Sequence, residues 1–420
     1  MNNIRKSIAE GVYLTCLPAE KFKTGILSAQ FVAPLSAETA AAVALIPSVL
    51  RRGTVKSPDM GLLSARLDNL YGARIDDTVR KLGECQCAGF VASFIDDRFV
   101  PGGERLLEPV ADLMGELFCQ PVTENGAFLP AYFESEQANL LDAIGSIRND
   151  KRLWAGRRLL SEMCAGEPYG VSRLGEEQDV EALQCAELYS RYLDMLQSTP
   201  LEIIYCGSAS AEEVEHALRD AFSMLPRANV RPIPDTIRHP SRADVLHVSD
   251  VMDVTQGKLE LGFSVGSDDY VALLMGNSMF GGSSNSKLFM NVREKLSLCY
   301  YASSSYYRRK SIVTVSSGIE FDHYQAAFDE IMKQLSMVQN GDWEDWEIES
   351  ARSILTNSYA SLGDAQGKLE NYHLSCTVTD FHDTPEEIME QVRTMTPERV
   401  IEAMRTVKLD TVYFLKGKEA

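Results

Sequence analysis

The order of predicted secondary-structure elements occurs twice along the 420-residue chain, and this duplication is the feature that most constrains the fold. Each copy begins with a near-alternating apolar strand, continues through helices and further strands, and closes with helices before a final strand. The first copy contains strand 25–35, helices 38–50 and 62–75, strand 86–96, helix 103–118 and final strand 201–207. The second contains strand 256–266, helices 268–280 and 287–298, strands 299–307 and 311–320, helix 323–338 and final strand 411–417. A repeat of roughly 200 residues is too long for a solenoid and indicates two related domains.

A proline-rich segment separates the two copies. Residues 227–244 contain three prolines and no apolar periodicity, which is typical of an extended linker. We therefore predict a first domain at 1–226 and a second domain at 245–420. Helices beside meandering strands predict an α+β fold, in which each half is a sandwich of mostly antiparallel sheet with helices on one face.

The composition excludes several classes of function. Acidic residues outnumber basic ones by 60 to 41, and the formal charge of -19 repels nucleic acid and anionic membrane surfaces. The N-terminal segment lacks the apolar core of a signal peptide, and no run of about 18 apolar residues predicts a membrane span. Nine scattered cysteines are typical of reduced thiols, so we expect a cytoplasmic protein.

The histidines are too few and too scattered for the common catalytic sites. The chain has six, and none lies in the first 215 residues. No two are three or four residues apart, so no helix face carries a pair that could bind zinc. The six are His216, His239, His247, His323, His373 and His382. The pattern favours none of them as a catalyst, and His239 is expected in a loop before a proline.

Three segments carry a resemblance to a known family. FGGSSNSKLFMNVREKLSLCYYASSSYY at 280–307 has a Gly-Gly turn, Ser-x-Leu-Phe, Val-Arg-Glu-Lys and an aromatic strand. EPYGVSRLGEEQDVEAL at 167–183 and TPEEIMEQVRTMTPERVIEA at 384–403 fit the same family. The whole chain resembles the pitrilysin/insulinase metallopeptidases, the inverzincins. That resemblance implies two homologous halves with a metallopeptidase/LuxS-like fold that form a clam-like chamber for peptides.

Active members of that family carry H-x-x-E-H on the helix after the first long strand, and the two histidines hold zinc. The glutamate of the motif polarises the attacking water, and a second glutamate from a later helix completes the site. The basic-Gly-Thr turn that follows the motif corresponds to residues 52–54. Counting back places Ala44 and Ser48 at the histidine positions and Pro47 at the general base, and the third ligand falls on Ala143. The resemblance therefore implies a degenerate zinc site, with no metal or cofactor in this chain.

Two further features of this region argue against a hidden metal site. Glu136 and Asp142 lie near the third-ligand position, but two carboxylates without an imidazole bind zinc weakly. Pro47 removes a helical N–H and crowds the carbonyl of residue 43, so we expect the helix to kink there.

The resemblance also implies a supporting pair in the second domain. Family enzymes use an Arg and a Tyr seven residues apart to hold the substrate and to stabilise its reacting carbonyl. Arg293 and Tyr300 have that spacing. A guanidinium is a permanent cation with several donors, and a phenol donates one hydrogen bond to a developing oxyanion. Alternatively, Arg293 is a solvated helix residue paired with Glu294, and Tyr300 is one of several tyrosines on a strand.

Two other segments are candidates for contacting a peptide. The turn at Gly281, Gly282 and Ser283 is interpreted as a substrate-facing loop, or else as a turn in which glycine supplies a positive φ. Strand 86–96 resembles the edge strand to which family substrates add by backbone hydrogen bonds, with Ala88 and Phe90 among the residues on one face. The same alternation also describes an ordinary core strand.

The loss of zinc ligands beside a retained Arg–Tyr pair predicts a non-catalytic subunit. In some two-chain members of the family one chain supplies zinc and base while the other supplies the Arg–Tyr pair. The resemblance thus implies an H-x-x-E-H-bearing partner, which alone would hold zinc, and a peptide substrate. It extends to bacterial proteins linked to the 5-aminopentanol modification of elongation factor P. The alternatives are a peptide-binding scaffold or assembly protein without proteolysis, and a stand-alone peptidase with an unfamiliar zinc site.

Overall fold

The computed structural model describes residues 5–418, which divide into two compact units. Within the described residues, the first unit comprises 5–145, 171–235 and 364–381, and the second comprises 146–170, 236–363 and 382–418. The main boundary at 235/236 lies inside the predicted linker. Each unit, however, also takes one segment from the other half of the chain, which differs from a simple division at 227–244.

The first unit is built on a six-stranded sheet. In spatial order the strands are β1 (Arg5–Ala9), β2 (Val12–Pro18), β8 (Leu201–Gly207), β3 (Thr24–Pro34), β5 (Cys85–Ile95) and β4 (Arg74–Leu82). Only the pairing of β2 with β8 is parallel, and the other strand pairs are antiparallel. A two-residue hairpin, β6 (Thr123–Glu124) and β7 (Ala127–Phe128), stands apart from this sheet.

Apolar helices cover one face of the first sheet. The helices of the unit are α1 (Ala40–Leu50), α2 (Met60–Asn69), α3 (Leu107–Cys119), α4 (Pro130–Asn149, continuing into the second unit), α6 (Glu177–Ala182), α7 (Cys185–Ser198), α8 (Ala211–Ala221) and α12 (Gln366–Val378). At the centre of this core the ring of Phe118 on α3 meets the rings of Phe31 and Phe90 edge-on, with centroids 5.3 and 5.0 Å away. Such aromatic contacts add to the burial of apolar surface, so the packing of this layer stabilises the unit.

Helix α12 covers the opposite face of the first sheet, although it comes from the second half of the chain. Its Leu374 and Val378 pack in one apolar cluster with Val32, Cys87 and Ile204 on the central strands. Polar contacts fix its position as well. Gln366 donates to the carbonyls of Thr24 and Cys206, and Glu370 forms a bidentate ion pair with Arg80 on β4.

The second unit repeats the plan with a five-stranded sheet. Its order is β11 (Cys299–Tyr307), β12 (Ile312–Ile319), β10 (Gly257–Val265), β13 (Val407–Lys416) and β9 (Leu246–Val251), and only β13 with β9 is parallel. Its helices are α5 (Lys151–Met163), α9 (Tyr270–Phe280), a π-helix (Leu288–Lys295), α10 (Tyr324–Asn340), α11 (Asp345–Ala360), α13 (Pro385–Arg393) and α14 (Pro397–Met404).

Helix α5 is the counterpart of α12, since it comes from the first half of the chain and covers one face of the second sheet. Its Ala155 and Leu159 pack with Tyr413 and Leu415 of β13. Gly262 on β10 makes this approach possible, because a Cβ there would stand 2.6 Å from the sulfur of Met163. The mixed α and β architecture, with one large sheet in each unit, confirms the predicted fold class.

The second predicted helix of the first copy is wrong in its extent. The helix expected over 62–75 ends at Asn69, and the chain then enters β4 at Arg74. Tyr71 and Gly72 have φ values of 57° and 73°, which a continuing helix does not allow. The strand was hidden from the pattern because its sequence, RIDDTVRKL, is rich in charged residues, as edge strands often are.

Candidate functional site

The helix that should carry the zinc motif, α1, is intact and almost entirely buried. Ala44 and Pro47 are buried in the first unit, and Ser48 is half-buried. The helix runs without interruption through Pro47, whose carbonyl accepts from the N–H of Arg51 at 2.9 Å. Because Pro47 lies in the last turn, it removes only one helical hydrogen bond near the end.

The polar groups beside α1 are already paired with one another. Ser48 Oγ donates to Asp77 Oδ2 on β4 at 2.8 Å, and Arg52 forms a 3.0 Å ion pair with Glu136 on α4. The guanidinium of Arg52 also lies 5.1 Å from the centre of the Tyr132 ring. These contacts provide a hydroxyl, a cation and two carboxylates that are already engaged, without an imidazole or thiolate, which is not a typical donor set for zinc.

The third-ligand position adds no donor. Ala143 is exposed on α4 and presents a methyl group. Across residues 5–418, no group of three His, Cys, Asp or Glu side chains with converging ligand atoms includes a residue of α1 or α4. The side chains in this part of the first unit therefore do not fit a catalytic zinc ion.

The expectation that strand 86–96 forms a sheet edge is wrong. The strand is β5, which pairs along its length with β3 on one side and β4 on the other. Its backbone N–H and C=O groups are thus used within the sheet, and Ala88 and Phe90 are fully buried. The two edges of the first sheet belong to β4 and β1, which end the strand order.

In the second unit, Arg293 lies near the end of the π-helix Leu288–Lys295. Its guanidinium is partly exposed, lies 3.4 Å from the carboxylate of Glu294 and stacks at 4.7 Å over the ring of Phe289. The main chain then turns through residues 296–298, where Ser297 has a φ of 51°, and enters β11. This short turn connects the helix that carries Arg293 to the strand that carries Tyr300.

Tyr300 lies at an irregularity in the edge strand of the second sheet. The register between β11 and β12 shifts between Cys299 and Tyr301, so Tyr300 is the extra residue of a bulge and is 54% exposed. Bulges at sheet edges commonly redirect a side chain next to an active site. The hydroxyl of Tyr300 donates to Glu320, and this hydrogen bond raises the pKa of Tyr300, so the phenol remains a donor at neutral pH.

The glycine turn of the second unit is held against the same strand. The carbonyl of Gly281 accepts from the N–H of Ser304 on β11 at 2.9 Å, and Ser283 Oγ donates to the carbonyl of Ser278. Neither Gly281 nor Gly282 has a positive φ, so the predicted conformational reason for glycine is wrong. The reason is space, because a Cβ on Gly281 would stand 2.7 Å from the nitrogen of Ser304.

A buried polar cluster in the second unit was missed by the sequence analysis. His239 is buried, with Nδ1 2.6 Å from Glu167 Oε1 and Nε2 3.3 Å from Asp410 Oδ2. Lys310 is also fully buried and pairs with the second oxygen of Glu167. Burial alone lowers the pKa of His239, but hydrogen bonds to Asp410, Cys164 and Glu167 outweigh it and raise the pKa to about 10.

This cluster contains the ligand types of a metal site, but its charges balance without one. Ligand atoms of Cys164, Glu167 and His239 lie within 4.8 Å of one another, which holds for no other His/Cys/Asp/Glu trio in the described part of the chain. Lys310 and the imidazolium already neutralise Glu167, and Asp410 lies against His239. We assign the cluster as a structural network. No sequence pattern predicted this network, because its residues are far apart in sequence.

Comparison with known proteins agrees with this picture. The family description "Peptidase M16 inactive domain" matches residues 182–355. Over 99% of its length the chain is 31% identical to the "Probable inactive metalloprotease YmfF" of Bacillus subtilis (strain 168), and the match covers 98% of that protein. The chain belongs to the peptidase M16 family. The resemblance to the pitrilysin/insulinase metallopeptidases is thereby confirmed, in the form of an inactive homologue.

Two more proteins are similar to this M16 chain. A conserved protein from Enterococcus faecalis V583 has a crystal structure that superposes with a TM-score of 0.92, at 27% identity and with both chains fully covered. The "Uncharacterized zinc protease YmxG" of Bacillus subtilis (strain 168) is 27% identical over 35% of this chain and 38% of its own length. No helix among residues 5–418 combines the length and apolarity that a membrane span requires.

Proposed function

We propose that this M16 homologue is the non-zinc subunit of a heterodimeric peptidase. In this proposal a homologous subunit with H-x-x-E-H binds zinc and activates water, and the present chain supplies Arg293 and Tyr300. The observation that carries the proposal is the contrast between the two units. The first has a methyl, a proline and a hydroxyl where the ligands and base would be, while the second presents Arg293 and Tyr300 at its surface.

The chemistry of the two side chains suits a supporting role. Arg293 carries a permanent positive charge with several donors, which can hold a peptide carbonyl or carboxylate. Tyr300 is a neutral donor on an edge strand and can stabilise a developing oxyanion once it leaves Glu320. Neither residue can turn water into a nucleophile, so activity requires the partner's metal.

Relatives support the idea of a partner without naming it. The chain resembles both a probable inactive metalloprotease and an uncharacterised zinc protease of the same bacterium. We further propose a peptide substrate, a cytoplasmic location and a link to elongation factor P modification. The location is supported by nine cysteines that form no disulfide in the structure. The link is supported only by the family resemblance of the sequence.

The test uses the complex of this chain with an H-x-x-E-H-bearing homologue from the same genome. We expect the pair of changes Arg293→Ala and Tyr300→Phe to lower the turnover of a quenched fluorescent peptide by about a hundredfold or more, as the loss of oxyanion donors does. Copurification and thermal stability should not change, because both side chains are surface groups.

A matched control is available in the same unit. Arg393 resembles Arg293, because each has one glutamate carboxylate 3.4 Å from its guanidinium. Tyr307 lies on the same strand as Tyr300. Arg393→Ala with Tyr307→Phe should leave turnover unchanged. Full activity of the Arg293/Tyr300 variant in a stable complex would refute the role in trans.

A second function, a non-proteolytic peptide-binding scaffold, is favoured by one observation. Both Arg293 and Tyr300 already have carboxylate partners in their own chain, Glu294 and Glu320. A scaffold predicts that the complex forms and binds peptide while the double variant behaves like the control. Peptide affinity and turnover measured on the same samples separate the two functions.

A further inference from the structure

The second unit contains a cavity of about 500 Å³, and neither Arg293 nor Tyr300 lines it. It lies where the end of β10 and the start of β13 meet the linker segment 238–241 and the residues that follow α14. This volume is within the range of pockets that bind small molecules.

The walls of the cavity are basic. Arg238, Arg405 and Lys408 line it together with His239, and no Asp or Glu is among the lining residues. Because the whole chain has a formal charge of -19, a wall with several cations and no carboxylate is a local reversal of its field.

Two of these cations have no carboxylate partner. Within residues 5–418, neither Arg405 nor Lys408 forms an ion pair, and the Nε of Arg405 donates to the carbonyl of Gln339. Arg238 differs, since it pairs with Asp268 and donates to the carbonyl of Gly266 at 2.7 Å. Arg238 therefore shapes the wall, while Arg405 and Lys408 have charge available for a ligand.

Hydroxyl groups complete the lining. Ser264 is buried and its Oγ donates to Ser241 Oγ at 3.1 Å, so the two hydroxyls form a short chain on the cavity wall. Thr406 Oγ1 accepts from the N–H of Ser267 and donates to the carbonyl of Ala403, so this hydroxyl shapes the wall. Pro240 and Val265 add apolar surface. A basic wall with hydroxyls and an apolar patch suits a ligand with an anionic head and a small organic body.

We propose that this cavity binds a phosphate-type oxyanion, in the form of a phosphomonoester whose organic part lies against Pro240 and Val265. A phosphate carries nearly two negative charges and three strong acceptor oxygens, which match an arginine fork, an ammonium and the hydroxyl of Ser241. A carboxylate has fewer acceptors and a single charge, so it uses this donor set less fully. The proposal does not depend on the heterodimer function.

The experiment is calorimetric titration of the full chain with inorganic phosphate and with phenyl phosphate at fixed ionic strength. We expect phenyl phosphate to bind more tightly than phosphate, because only the ester reaches the apolar patch. Arg405→Ala with Lys408→Ala should weaken phenyl phosphate binding by at least about tenfold.

The matched control removes two charges elsewhere in the same unit. Arg393 and Lys333 are exposed and each pairs with a glutamate on its own helix, so Arg393→Ala with Lys333→Ala should change the affinity less than about twofold. Thermal melts without ligand verify that both double variants are folded. Equal weakening by the two double variants, no detectable binding to the wild-type chain, or displacement by chloride at the same ionic strength would overturn the proposal.

Discussion

Replacing His239 by Gln tests the buried network of the second unit. The change removes a cation from between Glu167 and Asp410, both of which contact it in the structure. Breaking a buried ion pair costs about 3–5 kcal/mol of unfolding free energy. Lys310 and Arg242 remain beside the two carboxylates, so we expect about 3 kcal/mol, the low end of that range.

The cost should depend on pH in a defined direction. The pKa of His239 is raised from 6.5 to about 10 on folding, so the folded state holds the proton more tightly than the unfolded state does. Its contribution is complete below pH 6.5 and is lost as pH rises through about 10. The difference between wild type and His239→Gln should therefore be largest near pH 6.5 and shrink toward pH 10.

Urea unfolding followed by tryptophan fluorescence is the appropriate assay. All three tryptophans, Trp154, Trp343 and Trp346, lie in the second unit, so the signal reports on the unit that contains the network. The control is His247→Gln, which removes an exposed imidazole from β9 in the same unit and should change stability little. A cost for His239→Gln below about 1 kcal/mol, or one that is constant across this pH range, would refute the reasoning.

Three substitutions in the first unit test its packing, each measured by thermal unfolding with circular dichroism. Glu370→Gln leaves Arg80 without its buried bidentate partner and should cost about 3 kcal/mol, whereas an unchanged midpoint would contradict the role of α12. Gly89→Ala places a Cβ 2.1 Å from the carbonyl oxygen of Ala29 on the neighbouring strand, and we expect a loss of about 1–3 kcal/mol. Phe118→Ala empties the centre of the aromatic core and should cost about 3–5 kcal/mol, and a loss below about 1 kcal/mol would show that the core collapses to fill the space.

Much of the fold follows from local patterns in the sequence. The final strand of the first copy, 201–207, has the predicted bounds, and strand 299–307 agrees as well. Both are short segments rich in apolar or aromatic residues, and such segments are where the sequence pattern is most informative. Strand β4 was missed because its alternation is masked by charged residues suited to a sheet edge.

Other features depend on contacts between distant segments, which no local pattern records. The helical pattern of α5 and α12 is visible in the sequence. The sequence does not show that each helix covers a sheet formed mainly by the other half of the chain. The internal position of β5 likewise depends on the missed strand that pairs with it. His239 was assigned to a loop, and its burial depends on Glu167 and Asp410, which are 72 and 171 residues away.

The family resemblance implies a degenerate zinc site, and the structure shows how the polar side chains beside it are already engaged. Two carboxylates that contact residues 48 and 52, Asp77 and Glu136, are engaged by Ser48 and Arg52. A metal would have to displace both contacts and would still lack an imidazole. Restoring the motif therefore requires changes at all four positions: Ala44→His, Pro47→Glu, Ser48→His and Ala143→Glu.

The most direct test of the central claim is hydrolysis of a peptide library by the purified wild-type chain in the presence of zinc. We predict no turnover by the chain alone and the appearance of turnover when an H-x-x-E-H-bearing subunit is added. Turnover by the isolated chain that a chelator abolishes and zinc restores would contradict this prediction.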